Sequence, residues 1–355
     1  MSHRLCYISR NYRGVKSSGN KAKTDNEITL RQLGAHNLGL PTTYYNNKVL
    51  TFFLDFLGII KMMLTVRSAD IIVLQYPVKK YFSWICRVAH WRHAKTIALI
   101  HDLGSMRRKK LTVAQEIARL NHADYIIASN EKMEEWLHHH HLQRPTGTLQ
   151  LFDYRSDRHS DKIYQSPGQA PIRLVYAGAL APRKNSFLLL LQQELRPGAQ
   201  AHGSYQLDIY GNHQALPGLQ SGESCTLHGF MDAEDFIAGV EGDMGLVWDG
   251  DSLDTCSGNF GEYLRWNSPH KVSFYLRAGL PIIIWREAAL APLVEQLGIG
   301  ITIDNLHKLP LALNNLNTQQ YAYMKKRVHK VSELLAQGQF LISATNTAVD
   351  QLTDS

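Results

Sequence analysis

At 355 residues the chain is too long for one core, so two domains are expected, and its 44% hydrophobic and 19% charged content is ordinary for a folded globular protein. The net charge of +7 is concentrated in Arg107-Arg108-Lys109-Lys110 and in a basic N-terminal region (Arg4, Arg10, Arg13, Lys16, Lys21, Lys23). No zinc-finger, RNP-type or helix-turn-helix spacing accompanies it, which argues against nucleic acid and leaves a solvated face, an anionic substrate or lipid headgroups.

The N-terminus, Met1 to Ser9, lacks a signal-peptide apolar region and reads as a first strand, Leu5–Ser9. A basic Gly/Ser-rich loop follows from Asn11 to Ala22, containing Gly19 and Asn20, ahead of an amphipathic helix. It matches neither GxGxxG nor a Walker A motif. The longest apolar run, Leu50 to Val66, is short for a membrane span and is interrupted by Asp55 and Lys61, so it predicts a helix packed in a domain core rather than an interfacial one. Strands are then expected at Ile71–Gln75, Thr96–Ile100 and Tyr125–Ala128, with helices from about Lys80 to His90 and Ala114 to Leu120 between them. His138 to His141 reads as an exposed helix end rather than a metal site. The four cysteines, Cys6, Cys86, Cys225 and Cys256, contain no CxxC pair and no disulfide pattern, which suits a reducing cytoplasm.

Polar residues Ser156 to Pro171 read as a linker between a domain of residues 1–165 and one of residues 170–337. Further strands are expected from Ile172 to Gly178 and at Tyr205–Tyr210, Cys225–His228, Met244–Trp248 and Ile282–Trp285, then helices at about Thr318–Gln337 and Leu341–Leu352. Strands alternating with helices predict an α/β fold of doubly wound parallel sheets, whose ligands bind beyond the carboxyl ends of the strands.

Three strand ends in the second half carry chemistry. The strand Ile172–Tyr176 opens through Gly178 into Arg183 and Lys184 just before a helix, where fixed cations suit a diphosphate. Tyr210-Gly211 ends the next strand, with Tyr210 a candidate to stack on a uracil ring or hydrogen-bond a nucleotide. Asp249-Gly250-Asp251 ends another and reads as an Asp-Gly surface turn, with contacts to sugar hydroxyls as the other reading. Then Asn267-Ser268-Pro269-His270-Lys271 opens a short helix that ends at Gly279-Leu280-Pro281 and runs into a buried strand. A lysine at a helix N-terminus opposes the dipole, so Lys271 makes sense there with an anionic partner, and a phosphate is the simplest one.

The N-x-P-H-K helix and the segment His101-Asp102-Leu103-Gly104-Ser105-Met106-Arg107 together resemble nucleotide-sugar glycosyltransferases of the GT-B type. Within that group the chain is most similar to bacterial β-1,6-galactofuranosyltransferases and the related streptococcal adhesin glucosyltransferases. The resemblance implies two Rossmann-like domains facing a central cleft, with the C-terminal helix of residues 338–355 crossing back onto the first domain. It also implies a UDP-sugar as substrate rather than a resident cofactor, no required metal, and a donor site including Gly178, Arg183, Lys184, Tyr210, Gly211, Asn267, His270 and Lys271. Gly19 and Asn20 would belong to a loop closing over the donor or acceptor. Asp102, with His101 as the alternative, would take the proton of the acceptor hydroxyl; an N-cap is the other reading of Asp102. The acidic pair that many retaining enzymes place before the donor helix is not evident, which implies inversion.

The expected activity is a hexosyltransferase acting on a glycan or lipid-linked glycan acceptor in bacterial surface polysaccharide synthesis. The chain would be cytoplasmic, in peripheral contact with the inner membrane, and a homo-oligomer is left open. A nucleotide-sugar epimerase of the same fold and a non-catalytic, membrane-associated nucleotide-sugar binder are the rival readings.

Overall fold

The computed structural model describes residues 3–13, 18–77, 81–107, 110–160, 171–199, 201 and 203–354. Lys16, Arg108, Lys109, the expected helix start at Lys80 and most of the linker lie outside the described residues. The chain divides into two compact units, one of Met1–Arg155 with Gln337–Ser355 and one of Ser156–Ala336.

The first unit holds strands β1 (Arg4–Tyr7), β2 (His36–Asn37), β3 (Asp70–Tyr76), β4 (Lys95–Ile100), β5 (Tyr125–Ala128) and β6 (Thr146–Thr148) in the order β2-β1-β3-β4-β5-β6. All pairings are parallel. Every residue of β3 and β5 is buried, which is why they read as continuous apolar runs rather than as alternating ones. The C-terminal helix Gln339–Thr353 belongs to this unit. Its Leu341 and Ala348 share one core cluster with Leu30, Ile71, Ile97 and Phe152. Its N-terminus is held by Asp153, whose carboxylate accepts the N–H groups of Phe340 (3.3 Å) and Leu341 (2.8 Å). A buried leucine of this kind stabilises by about 1.5–3 kcal/mol, so the helix is an integral part of the unit.

The helix Lys48–Thr65 departs from its expected core placement. Only Gly58, Ile59 and Met62 of it are buried, while Phe52, Phe53, Phe56, Leu57 and Leu64 are exposed. An apolar run reports that a face avoids water, not what covers it. No helix among the described residues is long and apolar enough to cross a membrane.

The second unit holds β7 (Ile172–Ala177), β8 (Tyr205–Tyr210), β9 (Cys225–Gly229), β10 (Met244–Val247), β11 (Ile282–Trp285) and β12 (Gly300–Ile303), ordered β12-β11-β10-β7-β8-β9. Again every pairing is parallel. The strand order reverses between β7 and β10, and in such sheets the crevice beyond that reversal is where ligands bind. The linker's first residues are fastened to this unit: Arg277, 4% exposed, donates to the carbonyls of Ser156 (2.9 Å) and Arg158 (2.8 Å) and to Ser332 Oγ (2.9 Å).

Candidate active site

At the reversal point the ends of β7 and β10 meet the helix His270–Arg277. Pro269 caps that helix from just outside it, so His270 and Lys271 open its first turn, and Gly279 (φ +73°) turns the chain toward β11. The Lys271 side chain lies over the Tyr176 ring, its Nζ 3.8 Å from the centroid, and 3.6 Å from Asp249 Oδ1. Lys184 reaches the other carboxylate oxygen of Asp249 at 3.7 Å. Two cations from separate elements thus flank one carboxylate at the switch point.

Local structure explains this convergence. Gly250 N–H donates to the Lys184 carbonyl (2.7 Å) and Phe187 N–H to the Gly250 carbonyl (3.2 Å), which binds the Asp249 loop to the short helix Pro182–Asn185. Asn185, fully buried, accepts Ala181 N–H (2.9 Å) and donates to the Tyr176 hydroxyl, which donates in turn to Asp249 Oδ1 (3.2 Å). Behind them Ala177 N–H donates to the Tyr275 hydroxyl at 2.7 Å, joining β7 to the helix His270–Arg277. Asp249 is therefore a buried hub, 8% exposed, and the expectation of a surface Asp-Gly turn is corrected for it. Asp251 is the residue that behaves as an exposed turn, paired with Ser257.

Lys271 Nζ is buried and has no hydrogen-bond partner among the described residues, and Asn267 Oδ1 is in the same condition. Burial draws the Lys271 ammonium down to about 7, with Asp249 opposing that shift and Lys184 adding to it. A buried amine whose nearby carboxylate, Asp249, stands at 3.6 Å and beyond hydrogen-bond distance is costly, and a phosphate oxygen would supply a closer acceptor at the positive end of the helix. Gly178 leaves that approach open. A Cβ there would meet only Lys271 Cε, at 3.8 Å, so it is the backbone, at φ +148°, and not a clash that favours glycine. Gly211 has a further cause, because a Cβ there would lie 2.4 Å from the Gly178 carbonyl oxygen.

Two other expected site residues are placed elsewhere. Tyr210 is 4% exposed. Its ring is stacked on His228 at 4.3 Å and meets Phe236 edge-on at 5.1 Å, so it packs in the unit and does not offer a face to a base. Arg183 is exposed and lies over the Phe260 ring, 5.3 Å from its centroid, rather than on Asp249 with Lys184. A cavity of about 470 Å³ in the same unit is lined by Glu194, Asp251, Asp254 and His307, a poor setting for a diphosphate. Among the described residues no group of three or more His, Cys, Asp or Glu side chains is placed to hold a metal ion.

In the first unit, His101 and Asp102 follow β4 as expected. His101 Nε2 is 2.9 Å from Gln75 Oε1, and its ring stacks on Phe152 at 5.0 Å. Gln75 Oε1 also accepts from Asn26, so it is the acceptor and His101 Nε2 carries the proton. Asp102 is ion-paired with Arg107. Gly19 and Asn20 lie in the first turn of the helix Ser18–Gln32 rather than in the preceding loop, and Asn20 donates to the Arg13 carbonyl (2.8 Å). Asn130 caps the helix Glu131–His139 through Met133 N–H.

The two halves match the two domain definitions of one family. Residues 5–151 match the N-terminal domain, and residues 174–348 the C-terminal domain, of glucosyltransferase 3-like proteins. The chain belongs to the glucosyltransferase 3-like family. It is 27% identical over 287 residues, 80% of this chain and 81% of the relative, to the β-1,6-galactofuranosyltransferase WbbI of Escherichia coli (strain K12). It is 24% identical over 285 residues, 79% of each chain, to glucosyltransferase 3 of Streptococcus gordonii. Its fold is that of the lipopolysaccharide outer core galactosyltransferase WaaB in the apo form, with a TM-score of 0.56 at 13% identity over 97% of this chain and 99% of that one. This glucosyltransferase 3-like chain is accordingly a GT-B glycosyltransferase.

Its sequence concealed Asp249, Tyr176 and Asn185 as a connected group. It also concealed Glu27, a buried carboxylate that accepts from Tyr12 (2.5 Å), Ser9 (2.8 Å) and Thr42 (2.9 Å) beyond β1. Nothing in the spacing of these residues signals them. The available sign was the apolar context of Tyr176 and Asp249, each the polar residue in an otherwise apolar strand end.

Proposed function

We propose that the chain transfers a hexose, galactofuranose or glucose, from a UDP-sugar to a hydroxyl of a glycan or lipid-linked glycan during bacterial surface polysaccharide synthesis. The observation that carries this reading is Lys271 Nζ, which faces Asp249 at 3.6 Å but makes no hydrogen bond, at the N-terminus of the helix His270–Arg277, beside Lys184 and beneath Gly178. A diphosphate placed there would complete the hydrogen bonding of Lys271, and Asn267 Oδ1 would accept from a nucleotide or sugar donor group.

In the transfer itself the acceptor oxygen attacks the anomeric carbon as the bond from that carbon to the diphosphate breaks. The acceptor proton passes to Asp102, or to His101, in one inverting displacement. Negative charge grows on the departing diphosphate, where Lys184, Lys271 and the helix N-terminus are already fixed and need no reorganisation. Arg183 would join them by leaving the Phe260 ring. Fixed cations can do what a divalent ion does in other transferases, so we propose metal-independent transfer by a cytoplasmic enzyme.

The test is transfer from UDP-galactofuranose and UDP-glucose to a glycan acceptor in the presence of EDTA, with the anomeric configuration of the product read by NMR. Inverted product at an undiminished rate supports the proposal. Loss of transfer restored by manganese, or a retained configuration, would contradict it, and free isomerised UDP-sugar in the absence of acceptor would indicate an epimerase.

A further inference from the structure

The helix Lys48–Thr65 has an unusual solvent face. Val49, Phe52, Phe53, Phe56, Leu57 and Leu64 are 39–77% exposed and fall on one side of it, with Phe52 and Phe56 stacked 6.5 Å apart. Lys48 and Lys61, both exposed, border that stripe. Soluble helices place charge where this one places phenylalanine.

A neighbouring helix extends the surface. Phe82–Trp91 packs against Lys48–Thr65, and Arg92 just beyond its end donates to the Val66 carbonyl (3.3 Å) at the end of the first helix. Trp84 and Trp91, seven residues apart and thus on one side of that helix, are 38% and 76% exposed. Charge in this stretch is mostly positive. From Leu38 to Ile100 the sequence carries eight Lys and Arg against two acidic residues, Asp55 and Asp70. Asp70 is buried against Arg4 and Asp55 is half-buried, whereas Lys48, Lys61, Arg67, Arg87, Arg92 and Lys95 are all exposed residues, with Lys61 Nζ donating to the Gly39 carbonyl (2.7 Å) and Arg92 to that of Val66.

We propose that this face rests on the surface of an anionic phospholipid bilayer. The phenylalanine stripe would enter the boundary between headgroups and acyl chains while the exposed lysines and arginines meet lipid phosphates. At about 1.5 Å per residue the 18-residue helix is about 27 Å long, just short of the roughly 30 Å hydrocarbon core. Its flanking charges and buried Gly58, Ile59 and Met62 also tie it to the unit, so it lies along the membrane and does not cross it. Exposed tryptophans beside arginines fit the same depth, where an amphipathic ring sits at headgroup level. A protein partner would also cover apolar area, but the predominantly positive border favours lipid phosphate.

The experiment is flotation of the full chain with phosphatidylethanolamine vesicles, with and without phosphatidylglycerol. The wild type should float with the phosphatidylglycerol vesicles, less so at high salt. Phe52→Gln/Phe53→Gln/Phe56→Gln should lower partitioning by roughly tenfold or more, and Lys48→Gln/Arg67→Gln/Arg87→Gln should remove its dependence on anionic lipid. All these side chains are exposed, so Tm and UDP affinity, measured on each variant, should stay at wild-type values. Lys271→Met should float like the wild type, which separates this proposal from the donor-site reading. No flotation of the folded wild type, or flotation unchanged in both triple variants, would overturn it. Self-association by sedimentation that is abolished by the phenylalanine substitutions, without vesicle binding, would assign the face to a second copy instead and equally overturn it.

Discussion

Replacing Lys271 by methionine keeps the length and most of the volume of the side chain and removes only its charge and N–H donors. That amine makes no hydrogen bond, stands 3.6 Å from Asp249, and is drawn down from 10.5 to about 7 by burial. A shift of that size corresponds to on the order of 4–5 kcal/mol against the charged form. Losing it relieves desolvation but leaves Asp249 with Lys184 as its nearby cation and Tyr176 as a donor. Breaking a buried pair is costly, so the two effects oppose and folding stability should change by no more than about 1–2 kcal/mol. Binding has no such compensation. A charge-assisted contact to phosphate is worth roughly 1.5–3 kcal/mol, so the Kd for UDP should rise roughly tenfold to 150-fold. Calorimetric titration of UDP into folded Lys271→Met measures this directly. A Kd within about twofold of wild type would refute the assignment of Lys271 to the diphosphate.

The two glycines at the strand ends should behave differently. Both have a positive φ (+148° at Gly178, +157° at Gly211), so alanine strains the backbone at either; Gly211→Ala also drives a Cβ against the Gly178 carbonyl and should cost about 1–3 kcal/mol more stability, whereas Gly178→Ala, which meets nothing closer than Lys271 Cε, should lower Tm less and weaken UDP binding. Equal effects on Tm would remove the reason given for an open approach at Gly178. For the base, Asp102→Asn should lower turnover by roughly 10²–10⁴-fold with UDP affinity intact, and near wild-type turnover would transfer that role to His101. Burial raises Asp25 to about 6 and Asp153 to about 7, each opposed by nearby hydrogen bonds. Their folded values exceed the unfolded one near 3.8, so the stability they contribute is complete below about pH 4 and is lost as pH rises through 6 to 7. Asp153→Asn should therefore flatten the fall of Tm between about pH 4 and 7, and an unchanged slope would contradict this.

Much of the fold is visible in the sequence because its central strands are buried on both faces. β3, β5, β10 and β11 have no exposed residue and so appear as unbroken apolar runs. The strands that escaped notice, β2, β6 and β12, lie at sheet edges. They are short, and His36-Asn37 and Thr146-Gly147-Thr148 carry no apolar signal, which suits edges that must not invite further pairing. The place of Lys271 in the first turn of a helix was legible because a proline and a glycine bracket that helix. Asp249 was not, since Asp-Gly-Asp has the composition of a turn and its burial depends on loops brought together only by folding. Tyr210 failed for a related reason. With β8 covered on both sides, alternation does not tell which face of the sheet the ring joins, and His228 and Phe236 decide it.

The central claim is that the Lys184–Asp249–Lys271 group receives the donor diphosphate, and proton uptake on UDP binding tests it most directly. Near pH 8 the free amine, at about 7, is largely neutral, while the phosphates of UDP are fully ionised. A bound diphosphate favours the ammonium, so UDP affinity should weaken by up to about tenfold per pH unit above 7. Titrations at pH 8 in two buffers of different ionisation enthalpy should report uptake approaching one proton per UDP, falling toward zero by about pH 6 and absent at pH 8 in Lys271→Met. UDP binding without proton uptake at pH 8, or uptake that persists in Lys271→Met, would contradict the account.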